Sequence, residues 1–140
     1  MKQYKKIEEV IELLSPVQLA AVADIYENGY GVPPDLPLAL SYYRMAAEHG
    51  VPYAQYKTAM LTSEGDGALL WLHISAKQGF SIAMKELSDR LVRSDPKASK
   101  KWLRRYYRSR YNMKIKQWFG KGYHEESLPE VIGGEVVILI

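Results

Sequence analysis

The sequence predicts an all-α chain built from about three stacked helix pairs, and three observations lead there. Two phrases repeat in phase, Ala46-Ala47-Glu48-His49-Gly50 and Ser75-Ala76-Lys77-Gln78-Gly79, with a spacing of 29 between Gly50 and Gly79. Ala54 and Ala83 follow those glycines at equal distance, and Gln18 opens a segment shaped like the one at Ala54, 36 residues later. Between Gly and Pro punctuation, apolar residues recur at three- and four-residue spacing, as short amphipathic helices require.

Taken in order, Tyr4, Ile7, Ile11 and Leu14 put an apolar stripe on a capping helix over residues 1–14. Ser15-Pro16 is a helix start, the hydroxyl capping free N–H groups and the proline tolerated at the first helical position. Leu19, Val22, Ala23 and Tyr26 form one face of the helix that follows, and Asn28-Gly29-Tyr30-Gly31-Val32-Pro33-Pro34 ends it. Asp35 caps the next helix, whose apolar face is Leu38, Ala39, Tyr42, Tyr43, Ala46 and Ala47. The second unit repeats this with Ala54, Thr58, Ala59 and Thr62, a Gly65-Asp66-Gly67 turn, then Ala68, Trp71, Leu72 and Ala76. The third has Ala83, Leu87 and Leu91, a second cap-and-proline start at Asp95-Pro96, and then Trp102, Leu103, Tyr106 and Tyr107. Small residues at Ala39, Ala46, Ala47, Ala59 and Ala76 allow close helix approach. The units fall at about 15–50, 51–79 and 80–116, within a solenoid over 15–118.

Length and composition agree. A chain of 140 residues, 47% hydrophobic and 25% charged, suits one globular domain. Cys is absent, which removes disulfides, a cysteine nucleophile and thiolate metal sites. The start, MKQYKKIEEVIELL, has no apolar signal core, and no segment reaches the roughly 20 apolar residues of a membrane span. The expected location is therefore the cytoplasm. Charge is uneven: residues 93–121 hold 11 Lys/Arg against Asp95 alone, whereas residues 1–92 hold 8 against 11 Asp/Glu.

The run from Gln18 to Gly50 resembles a Sel1-like repeat, a relative of the tetratricopeptide helix pair. The resemblance rests on Tyr26, Gly29, Gly31, Val32, Asp35, Ala39, Tyr43, Ala46, Ala47 and Gly50, with departures at Gln18, Val22 and Ala23. The second unit keeps Ala54, Gly65, Ala68, Trp71, Ala76 and Gly79 but lacks the glycine-rich loop, and the third keeps Ala83, Leu87, Asp95 and Trp102. Such a resemblance implies a right-handed α/α superhelix that binds a protein partner, with end elements covering the terminal faces. It implies no catalysis and no cofactor. The β-lactam chemistry described for some secreted, cysteine-rich members does not carry over to a chain without cysteine.

Two sets of residues are candidates for binding. The variable positions of the first helix in each unit should line the inner face: Asp24 and Asn28, then Tyr56, Met60 and Glu64, then Lys85 and Asp89. The second set lies in a basic stretch in which Arg93, Lys97, Lys100, Lys101, Arg104, Arg105, Arg108, Arg110, Lys114 and Lys116 interleave with Trp102, Tyr106, Tyr107, Tyr111 and Trp118. Its blandest reading ranks first: aromatics packed inward, cations solvated. An acidic protein partner for Lys97, Lys100, Lys101, Arg104, Arg105 and Arg108 ranks second, and nucleic acid on a basic helix 97–116 third.

No catalytic or metal set emerges. His49, His73 and His124 lack metal-ligand spacing, His49 reads as a helix-end base, His73 as a solvent-side residue, and Gly29-x-Gly31 follows a helix rather than a strand. The expected role is thus an adapter or regulator acting as a monomer or weak dimer, with an immunity protein masking a toxin as an alternative. In the tail at 119–140, Leu128-Pro129 breaks the helical pattern, and Val136-Val137-Ile138-Leu139-Ile140 would be an aggregation hazard if exposed. The expectation is that it folds back along the solenoid in extended form, with strand addition to another chain as the alternative.

Overall fold

Helix boundaries follow local cap chemistry. The computed structural model describes residues 2–62, 65–109 and 128–140, with Asp66 described by its backbone alone. Helix α2 (Pro16–Asn28) opens on a reciprocal box: the Ser15 hydroxyl accepts from the Gln18 N–H while the Gln18 side chain accepts from the Ser15 N–H. Helix α3 (Leu36–Glu48) starts at Asp35, whose Oδ1 accepts from the Leu38 N–H. Helices α4 (Pro52–Leu61), α5 (Asp66–Lys77) and α6 (Ser81–Leu91) follow, then α7 (Pro96–Ser109), where Asp95 accepts from the Ala98 N–H. From α2 to α7, each helix packs on the next in sequence.

Two apolar clusters fill the stack. The first gathers Leu19, Val22, Tyr43, Val51 and Ala54 from α2 to α4, the second Leu72, Phe80, Leu87 and Trp102 from α5 to α7. Tyr53 and Trp71 pack against both and join them. Buried serines bond to the backbone of neighbouring segments. The Ser75 hydroxyl donates to the Pro52 carbonyl at 2.8 Å, and Ser88 and Ser99 exchange hydroxyl-to-carbonyl bonds of 2.8 Å between α6 and α7.

Helicity is as expected across the repeats, but the chain also carries a three-stranded antiparallel sheet. Its strands are β1 (Tyr4–Lys6), β2 (Glu130–Ile132) and β3 (Glu135–Leu139), in the order β1-β3-β2. Tyr4 pairs with Leu139 and Val131 with Val136. Gly133 and Gly134, at φ 61° and 79°, form the two-residue turn that joins β2 to β3.

This corrects the single capping helix over 1–14. In its place stand β1, a four-residue helix α1 (Ile7–Val10) and a 3-10 turn (Ile11–Leu13). The physical reason is a backbone partner from far along the chain, since β1 is held by the ladder to β3 and by bonds between Gln3 and Ile140. Of the apolar stripe, Ile7 and Leu14 are buried in the first cluster, while Tyr4 stays 50% exposed. Val136 and Ile138 of β3 enter the same cluster, so strand and helices share one core.

Candidate functional site

On α2, Asp24 and Glu27 turn toward α3 and α4. The Tyr43 hydroxyl, from α3, donates to Asp24 Oδ1 and lies 2.8 Å from Glu27 Oε1. The Tyr53 hydroxyl, from α4, donates to the same Asp24 oxygen at 2.7 Å. Lys57, one turn further along α4, donates to Glu27 at 2.9 Å, and its ammonium sits 5.8 Å from the centre of the Tyr43 ring. Burial, reinforced by the hydrogen bond to Asp24 and its charge, pushes both Tyr43 and Tyr53 far above the ordinary tyrosine value. Both hydroxyls therefore remain donors in the folded protein, and the network ties three successive helices together.

The same face continues onto α6. The Arg90 guanidinium reaches Met60 Sδ at 3.7 Å and also bonds Glu86 at 2.9 Å. Tyr56 is half-buried, its ring tilted against Phe80 at 5.5 Å. Burial raises its hydroxyl pKa, with the Glu86 charge adding to the effect and Arg90 opposing it. Lys85 and Asp89 form an exposed ion pair at 2.7 Å.

The expected inner-face residues thus have different surroundings. Asp24 is committed to two tyrosines, and Asn28 donates to the Asp24 carbonyl at 2.9 Å. Met60 meets Arg90 between α4 and α6 and Tyr56 feels the charges of Glu86 and Arg90, whereas Lys85 and Asp89 pair with each other within α6. Glu64 lies outside the described residues, as do Arg110, Tyr111, Lys114, Lys116, Trp118 and His124. Sequence reasoning missed Glu27, Tyr43, Tyr53 and Lys57 as a connected group. Tyr43 read only as an apolar position, and its hydroxyl partner belongs to the preceding helix.

On α7, Trp102 is buried and Tyr106 half-buried, while Lys97, Lys100, Lys101, Arg104, Arg105 and Arg108 are all exposed. Trp102 meets His73 edge-on at 6.0 Å, and Arg105 lies 5.0 Å from the centre of its ring. His73, expected on the solvent side, is half-buried there. That burial, with Lys77 nearby, lowers its pKa. His49 contacts the Met45 carbonyl at 2.8 Å through Nδ1, at the end of α3.

Among the described residues no group of three His, Asp or Glu side chains is placed to hold a metal ion, and no helix is long and apolar enough to cross a membrane. A small open cleft of about 270 Å³ lies beside β3, lined by Lys6, Glu8, Tyr26, Gly134, Glu135 and Val136.

The Sel1 repeat family matches the chain twice, at residues 18–51 and 52–80. No curated protein and no solved structure matches it. The first match spans α2 and α3 and the second α4 and α5, so the Asp24–Tyr53 and Glu27–Lys57 contacts cross from one repeat to the next. Sel1 repeats generally mediate protein–protein interactions and are generally not catalytic. Residues 18–80 of the chain are thus two consecutive Sel1 repeats.

Proposed function

We propose that the chain is a non-catalytic adapter or regulator that holds a protein partner on the face formed by α2, α4 and α6. In this reading α6 and α7 are a third, diverged repeat, and the three pairs form a right-handed superhelix. The observation that carries the reading is the linkage of first helices across that face. Glu27 reaches Lys57 and Met60 meets Arg90, each pair 30 residues apart. A face held in this way is preorganised, so a partner meets few side chains that must first be ordered. Tyr56, Met60, Lys85 and Asp89 supply its variable chemistry: one aromatic, one thioether and one exposed ion pair.

The test is capture by the full-length chain from nuclease-treated extracts of cells that express it, beside a Tyr56→Ser/Met60→Glu variant. A protein retained in near-equal amount by the wild type and lost by the variant supports the face. A protein retained equally by both removes the face from the reading. Recovery of nucleic acid alone, before nuclease treatment, removes the adapter role.

A further inference from the structure

Helix α7 carries a feature that the α2–α4–α6 face does not explain. Lys97, Lys100, Lys101, Arg104, Arg105 and Arg108 recur at three- and four-residue spacing and so share one side of the helix, over about 16 Å at 1.5 Å per residue. All six are exposed. The opposite side holds Ser99 and Trp102 against α6. Four ion pairs form elsewhere among the described residues: Lys6 with Glu135, Lys57 with Glu27, Lys85 with Asp89 and Arg90 with Glu86. Among the described residues no ion pair reaches any of the six. Lys97–Lys101, Lys100–Arg104, Lys101–Arg105 and Arg104–Arg108 are instead like-charge pairs four apart, which weaken a helix. In sequence, residues 110–127 add Arg110, Lys114, Lys116 and Lys121 against Glu125 and Glu126.

Two classes of polyanion would relieve this repulsion, and the aromatic neighbours favour one. Single-stranded nucleic acid is held by exposed ring faces on which bases stack, along with cations. Here Trp102 is 6% exposed and has the Arg105 guanidinium near its ring, and Tyr106 is half-buried, so Tyr107, 52% exposed and set edge-on to Tyr106 at 5.3 Å, is the one open ring among the described aromatics of α7. Duplex recognition calls for a helix that projects into the major groove, whereas α7 lies packed along α6. Six cations over about three turns, beside a single exposed ring rather than a run of them, suit a row of carboxylates.

We propose that the α7 stripe is a docking site for an acidic segment of a protein partner, separate from the α2–α4–α6 face. The probe is a fluorescein-labelled 15-residue Glu/Ala peptide with glutamates one turn apart. It is titrated with the full chain at low and moderate salt, beside dT15 and a 15-base-pair duplex. Charge reversal at Lys100→Glu, Arg104→Glu and Arg108→Glu should weaken peptide binding by about tenfold or more at low salt. The matching Gln variants, which keep the helix intact should reversal unfold it, should weaken it by about threefold. A control reversing Lys5, Arg44 and Lys77 to Glu, equal in net charge, and a Tyr56→Ser variant should both retain wild-type affinity. The proposal is overturned if either oligonucleotide binds more tightly than the peptide at equal ionic strength. It is also overturned if the Gln variants bind like wild type, or if the Lys5/Arg44/Lys77 control weakens binding as much as the stripe variants do. Loss of partner capture through Tyr56 and Met60 would leave it standing.

Discussion

Gly31, in the loop of the first repeat, lies directly beneath Val131 of β2, and a Cβ added at Gly31 would fall 2.7 Å from Val131 Cγ1. The backbone there is also at φ 80°. Gly31→Ala therefore meets two obstacles, a left-handed conformation costing about 1 kcal/mol and a steric clash costing about 1–3 kcal/mol. Val131→Ala should relieve only the second. In a double-mutant cycle read by urea unfolding, the pair should be less destabilised than the sum of the singles, by about 1 kcal/mol or more.

Tyr43 and Tyr53 predict an alkaline limit. Their folded pKa values lie above the unfolded value near 10. The neutral hydroxyls thus contribute stability that is fully present below pH 10 and is lost as pH rises beyond it. Between pH 10 and 11 stability should fall by about 1 kcal/mol for each of the two. Tyr43→Phe should remove one of these two contributions and cost about 1 kcal/mol at pH 7. Absorbance at 295 nm should show these two phenols ionising together with unfolding.

Thr58 carries a hydroxyl that is fully buried in α4, and Oγ1 has no hydrogen-bond partner among the described residues. A buried polar atom without a partner costs about 1–3 kcal/mol. Thr58→Val keeps the branched shape and removes that atom, so it should raise stability by about 1 kcal/mol. The check is the urea midpoint at an unchanged slope.

Ile138 tests the shared core. It is fully buried on β3, whereas Ile140, two residues on, is 44% exposed. Ile138→Ala should cost about 2–5 kcal/mol and Ile140→Ala about 0.5 kcal/mol or less. Equal costs would mean that β3 only lies on the surface.

The helix pairs were legible because their signals are local. Ser15-Pro16, Asp35 and Asp95-Pro96 each cap a helix within three residues, and each cap forms as the spacing implies. Strand β1 was not legible, because three residues have no readable period and their partners lie at 137–139. The same distance effect hid the Tyr43 network. Register correctly assigned Tyr43 to a buried face, but nothing near it in sequence says that its hydroxyl meets Asp24. On α7 the division into buried Trp102 and solvated cations could be read at once, since one helix contains both.

The closure of β3 onto β1 also sets an order of events during synthesis. Tyr4 is made more than 100 residues before the strand that pairs with it, Glu135–Leu139. At about 5–20 residues per second, Ile138 follows Tyr43 by about 5–20 s. The seven helices among the described residues are made before β3, yet the first cluster then still lacks Val136 and Ile138. The nascent repeats thus leave the ribosome with an open apolar seam at their first layer. A chain stalled at residue 129 should bind a hydrophobic dye that one carried through Ile140 does not.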